Sequence, residues 1–200
     1  MLSLILVAVA GELRLPAFFS DHLVLQRDAE VPLWGWSTPG AHVSVQASWL
    51  GAGALTARAD AGGRWQVTLP AAHASGAQTL TIEGDGERRV LADLRLGEVW
   101  LASGQSNMEW TLGPGVGNGV DGWQEAVASS ADLDLRFFDV ANAVAPAPAQ
   151  DVEGAWSIAG PETAGHFSAT AYFFARALRR ELGVPVGVIS SDWGGTPAEA

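Results

Sequence analysis

Between Glu12 and about Leu94, apolar and polar positions alternate in short runs. Val43, Val45, Ala47 and Trp49 fall on one side of an extended chain, with His42, Ser44, Gln46 and Ser48 on the other. Trp65, Val67 and Leu69 alternate in the same way with Arg64, Gln66 and Thr68. A period of two marks strands with one buried face. Turn signals recur at Thr38-Pro39-Gly40, Asp60-Ala61-Gly62-Gly63, Ser75-Gly76 and Gly84-Asp85-Gly86. This spacing predicts an all-β domain over residues 11–92, an N-terminal antiparallel β-sandwich.

The pattern changes near Asp93. Val99-Trp100-Leu101-Ala102 is a continuous apolar run ending at Ser103-Gly104, which predicts a strand buried on both faces. Gly113 to Gly122 reads as a loop, Trp123–Ser129 as a short helix, Leu133–Val140 as a strand, and Ala141–Gln150 as a second loop. The clearest helix runs from about Ala169 to Leu182. Tyr172, Phe173, Ala175, Leu178 and Leu182 supply an apolar stripe, Arg179 and Arg180 lie in the last turn, and Gly183 supplies the stop. Val186–Ser190 follows as a buried strand. Thr196-Pro197-Ala198-Glu199 then has the form of a capping box with proline at the first helical position, so a further helix is expected to start there. Strand, helix, strand and helix onset in that order predict an α/β layer with a parallel sheet, of which residues 93–200 form the first part.

Composition narrows the function. With 22 acidic residues against 11 basic ones and a net charge of −11, the chain lacks the basic footprint of a nucleic-acid or anionic-membrane partner. Every basic residue is Arg, so loops ending in Gly-Lys, Schiff-base lysines and Ser-Lys dyads are excluded. Without Cys there are no disulfides, thiolate zinc sites or cysteine nucleophiles. Met1–Ala10 is apolar and ends in the small-x-small pattern Ala8-Val9-Ala10, the form of a secretion signal, although no cation precedes it and a plain apolar strand is the competing reading. No other run approaches the ~18 apolar residues of a membrane helix, so the mature protein is expected to be secreted or periplasmic and free of membrane.

Ser106 follows the buried strand directly, at the carboxyl end where α/β sheets expose reactive groups. A serine at that position also serves as a turn or helix cap, and the spacing is not Gly-x-Ser-x-Gly, because Met108 fills the last position. The wider run Gly97-Glu98-Val99-Trp100-Leu101-Ala102-Ser103-Gly104-Gln105-Ser106-Asn107-Met108-Glu109-Trp110 resembles the nucleophile motif of the sialate O-acetylesterases, members of the SGNH hydrolase group. Three further stretches resemble the same family in the same order. They are Ser20-Asp21-His22-Leu23-Val24-Leu25-Gln26-Arg27, then Pro161-Glu162-Thr163 with Phe167-Ser168-Ala169 and Ala171-Tyr172-Phe173-Phe174, and finally Ser190-Ser191-Asp192-Trp193-Gly194-Gly195-Thr196-Pro197.

The resemblance implies an SGNH-type hydrolase that removes O-acetyl groups from sugars without metal or cofactor. Ser106 would attack the acetyl carbonyl, and Gly194 or Gly195 would donate a backbone N–H to the oxyanion. The Ser106 N–H at a helix start would be the second donor. Such donors must stand ~3 Å from the oxyanion, and glycine admits that approach where a Cβ would block it. Asp192 departs from the family, which carries an uncharged residue there; a carboxylate beside an oxyanion hole opposes the developing charge unless it points away or caps the next helix.

In the family the general base comes from an Asp-x-x-His element near the C-terminus of a longer protein, and none of His22, His42, His73 and His166 matches it. His42 and His73 read as surface residues and His22 as a structural hydrogen-bonding group; His166, just before the long helix, is the one placed to approach the site. Gly117-Asn118-Gly119-Val120-Asp121-Gly122 fits Gly-x-Gly-x-x-Gly, but no strand precedes it. Trp34, Trp36, Trp49 and Trp65 offer sugar-stacking faces, with core packing as their ordinary use. The competing reading is a non-catalytic carbohydrate-binding protein, separated from the first by whether an Asp-x-x-His element follows Ala200.

Overall fold

The computed structural model describes residues 12–73 and 76–196. The apolar Met1–Ala10 segment and the helix signal after Thr196 lie outside the described residues. The strands are β1 (Val24–Gln26), β2 (Val31–Trp36), β3 (His42–Ala47), β4 (Leu55–Arg58), β5 (Arg64–Leu69), β6 (Gln78–Gly84), β7 (Glu87–Gly104), β8 (Pro114–Gly115), β9 (Gly117–Asn118), β10 (Asp132–Asp139), β11 (Trp156–Ala159) and β12 (Val186–Asp192). The helices are α1 (Ser106–Glu109), α2 (Trp123–Ala128) and α3 (Ala169–Leu182).

One mixed sheet runs β11-β10-β12-β7-β6-β3-β4, with β1 also paired to β7. β10, β12 and β7 are parallel, β11 is an antiparallel edge, and β6, β3 and β4 continue antiparallel. β2 and β5 form a separate antiparallel ribbon. Most of the antiparallel strands within residues 11–92 therefore belong to the same sheet as the α/β strands. The alternation does place side chains as the sequence indicates. Val43, Val45, Ala47, Trp65, Val67 and Leu69 are all buried, and with Leu33, Leu80, Ile82 and Leu94 they form one apolar core.

β7 explains why the sheet is continuous. It pairs antiparallel with β6 over Glu87–Leu94, parallel with β1 at Arg95, Leu96 and Gly97, and parallel with β12 from Glu98 to Gly104. The change of pattern near Asp93 thus falls inside a single strand. Asp93 itself adopts a left-handed φ of 55° at the crossing. Gly97 is required there, since a Cβ would collide with the Pro185 carbonyl.

A second core lies under α3, where Leu135, Phe137, Val186 and Val188 meet Phe167, Tyr172 and Ala175, with Phe137 stacked on Phe167 at 4.2 Å. α3 begins at the Ser168 cap, whose side chain accepts the Ala171 N–H, and ends at Gly183 with φ 66°. The two cores meet at buried Arg136, which bonds Asp93 Oδ2 at 3.0 Å and donates to the Leu133 carbonyl at 2.7 Å.

One expectation fails. Trp100 is 44% exposed and Leu101 67% exposed, so the apolar run is not buried on both faces. The reason is topological: beyond the Val99 N–H, which donates to Gln26 Oε1, this stretch of β7 has only β12 beside it among the described residues.

Candidate active site

β7 ends at Gly104, and Gln105 turns the chain so that Ser106 starts α1 on the surface. α1 is a single turn of four residues, so its dipole adds little to the Ser106 N–H as a donor to an anion. Its place is set by α3: Thr170 Oγ1 donates to the Asn107 carbonyl at 3.0 Å, and Ala169 N–H donates to the Trp110 carbonyl at 2.9 Å.

The parallel register brings the glycine block to Ser106. Asp192 stands beside Gly104, the Trp193 N–H donates to the Gly104 carbonyl at 3.1 Å, and Gly194 and Gly195 follow, the latter at φ 80°. A Cβ built on Gly194 would lie 3.6 Å from Ser106 Oγ and would displace Glu109 Oε2 from its bond to the Gly194 N–H. The nucleophile and glycine motifs, far apart in sequence, therefore meet. The Gly194 N–H is engaged, however, donating to Glu109 Oε2 at 2.9 Å. The Ser106 and Gly195 amides donate to no group among the described residues.

The histidines lie elsewhere. His22 Nδ1 pairs with Asp93 Oδ2 at 2.8 Å, at the junction of the two cores, and His73 pairs with Asp28 on the surface. His42 points outward from β3. His166 lines a recess with Asp139, Ser157 and Phe167. None hydrogen-bonds Ser106, whose hydroxyl has no partner among the described residues.

The surroundings of Ser106 are acidic. Partial desolvation, aided by the Glu109 charge, raises the Asp192 pKa against the lowering effect of its Ser190 hydroxyl bond. Asp139 is raised as well, by partial desolvation and then by Asp192, although its side chain reaches solvent. Asp192 caps no helix within the described residues; it faces a cavity of about 630 Å³ at the carboxyl ends of β7, β10 and β12. Ser103, Asn142, Asp151, Glu153 and Trp193 share that lining. No cluster of three His, Cys, Asp or Glu groups suited to a metal occurs among the described residues.

Three parts of this site escape the sequence reading: Glu109, Asp139 and the loop after β10. Glu109 carries a local signal, since it lies three residues after Ser106 and one helical turn brings it to the same side. Asp139 and the loop carry none, because only the fold brings them to the sheet's carboxyl edge. Of the four tryptophans considered for stacking, Trp65 is buried, Trp34 packs edge-on to Phe19, Trp36 lies under the Arg14 guanidinium, and Trp49 packs against the first core. The Gly117–Gly122 decoy forms part of the small β8–β9 hairpin and the start of α2.

No family model matches the chain. It is 31% identical over 206 residues to the sialate O-acetylesterase of Homo sapiens, an alignment covering 94% of this chain and 38% of that protein. The Rattus norvegicus sialate O-acetylesterase is 30% identical over 202 residues, covering 93% and 36%. Among solved structures, a carbohydrate acetylesterase from Xanthomonas citri superposes with a TM-score of 0.88 at 41% identity, covering 94% of this chain and 42% of that one. The chain spans about two fifths of the length of these relatives.

Proposed function

This chain is homologous to the sialate O-acetylesterases over 94% of its length, and from that premise we propose that it holds the nucleophile and oxyanion elements of a carbohydrate O-acetylesterase. The observation that carries the reading is the convergence of Ser106 and Gly194 at the carboxyl ends of adjacent parallel strands. Ser106 Oγ bonds to the acetyl carbonyl carbon while its proton passes to a base. The oxyanion takes N–H bonds from the Ser106 and Gly195 amides, and from Gly194 once Glu109 releases it. The carbon–oxygen bond to the sugar then breaks, the sugar oxygen takes the proton, and water frees acetate from the serine. The base is assigned, by resemblance, to an Asp-x-x-His element outside these 200 residues.

The same reading treats residues 93–200 as part of an SGNH-type layer and the β2–β5 ribbon, facing β3 and β6 across the first core, as the second sheet of a small sandwich. It also treats Met1–Ala10 as an export signal to a secreted or periplasmic location. Among the described residues no helix is long and apolar enough to cross a membrane.

In a polypeptide joining this chain to an Asp-x-x-His element, Ser106→Ala is expected to lower 4-nitrophenyl acetate hydrolysis by several orders of magnitude and to leave thermal unfolding unchanged. Retention of more than about a tenth of the activity removes Ser106 from the role. A non-catalytic carbohydrate-binding reading is favoured by one observation, the Gly194 N–H held by Glu109. Under that reading the joined polypeptide binds acetylated sugars without turnover.

A further inference from the structure

Gly194 and Gly195 bring the turn after β12 close to Ser106, but they leave it without side chains to hold it. Glycine has the freest backbone of any residue, and an oxyanion donor must stand ~3 Å from its target. The aim of this turn therefore has to be fixed by hydrogen bonds. The Trp193 N–H on the Gly104 carbonyl ties its first residue to β7. Beyond that the turn closes on itself, with the Thr196 hydroxyl donating to the Trp193 carbonyl at 2.6 Å.

Two side chains then bind it to the segment that carries Ser106. Gln105, immediately before Ser106, donates from Nε2 to the Thr196 carbonyl at 2.6 Å. Glu109, one helical turn after Ser106, accepts the Gly194 N–H at 2.9 Å. The two bonds span 91 and 85 positions of sequence and grip the turn on either side of Gly195. The Gly195 amide, at φ 80°, is left donating to no group among the described residues. α1, which carries Glu109, is itself fastened to α3 through the Asn107 and Trp110 carbonyls, so the grip reaches back to the second core. The chemistry required at the two positions differs. The Thr196 carbonyl needs a donor, which an amide has and a carboxylate lacks, whereas the Gly194 N–H needs an acceptor, which both supply. A carboxylate near Ser106 opposes an oxyanion, so the use of Glu109 lies in its bond to the turn and not in its charge.

We propose that Gln105 and Glu109 are positioning residues that clamp the glycine turn against Ser106 and aim the Gly195 N–H at the oxyanion. The proposal rests on the esterase reading and deepens it by two residues that act through Thr196 and Gly194. Its test measures kcat and KM separately for 4-nitrophenyl acetate in the polypeptide that joins this chain to an Asp-x-x-His element. Glu109→Ala and Gln105→Ala are each expected to lower kcat about tenfold or more and to leave KM within about twofold, because a misaimed donor is missed chiefly in the transition state. Glu109→Gln keeps an acceptor and is expected to retain at least about a third of native kcat, while Gln105→Glu loses the donor and falls as far as Gln105→Ala. Amide hydrogen exchange in the 200-residue chain reads the clamp without turnover: Gly194 exchanges more slowly than Gly195, and Glu109→Ala brings the two rates together. Native kcat in Glu109→Ala or in Gln105→Glu overturns the proposal. So do a loss confined to KM, a Glu109→Gln variant as slow as Glu109→Ala, and equal exchange of the two amides in the native chain. Absence of turnover in the native joined polypeptide defeats the esterase reading instead, and the exchange comparison then decides the clamp by itself.

Discussion

Over Glu87–Leu94, β7 is paired with β6, and Leu91 and Leu94 enter the first core; over Glu98–Gly104 it is paired with β12 alone, and Trp100 and Leu101 reach solvent. The same strand thus buries one face in the first core early on. Later, although Val99 and Ala102 still pack against the cores, it leaves Trp100 and Leu101 partly open to solvent beside the turn that presents Ser106. Burial and reactivity are kept apart along one strand, joined at Asp93. A packed interior tolerates little change, whereas an exposed strand end leaves room for a substrate to approach the reactive group.

Three measurements test that contrast. Trp65→Ala, in the core that backs the first half of β7, should cost about 3–5 kcal/mol in urea unfolding, because the indole is fully buried and its removal leaves a cavity. A loss below about 1 kcal/mol would show that this half is as loosely held as the other. The junction should give a smaller, pH-dependent effect. Desolvation opposes ionisation of Asp93, but hydrogen bonds from His22, Arg136 and Arg95 overcome it and hold the pKa at about 2, below the ordinary 3.8. A carboxylate whose folded pKa is depressed stabilises the fold above its unfolded pKa, and that contribution fades as pH falls through the folded value. Stability should therefore decline between about pH 4 and pH 2 more steeply in the native chain than in Asp93→Asn. Identical pH profiles would dismiss the junction as an electrostatic anchor. The smallest effect belongs to Leu101→Ser, which should shift unfolding by no more than about 0.5 kcal/mol while reducing light scattering on concentration.

What the sequence revealed follows the same division. α3 was legible because its apolar stripe, the arginines of its last turn and the Gly183 stop are all local signals, while the Ser168 cap was seen only in the structure. The strands around Val43–Ala47 and Trp65–Leu69 were legible because alternation states which face is buried. Val99–Ala102 misled because a continuous apolar run does not say how many neighbours cover it. Arg136 was hidden for a related reason: within an apolar strand it reads as the exposed position, and only the pairing of β7 with β1 and β12 places Asp93 against it. At the site, the nucleophile and glycine motifs were readable from the residues that carry the family resemblance. The Glu109 bond to Gly194 was not, since it joins groups 85 positions apart.

An unbroken β7 also restricts how the molecule can be cut or recombined. At about 3.3 Å per residue, a strand from Glu87 to Gly104 extends on the order of 60 Å, with β6 on its early edge, β1 at its middle and β12 on its late edge. A splice anywhere within it would break a ladder on one side or the other and strip Ser106 of its support. The β-rich residues and the serine-bearing layer are thus bound to be inherited as a single cassette, and gene fusions meant to exchange one for the other need their joints outside residues 87–104.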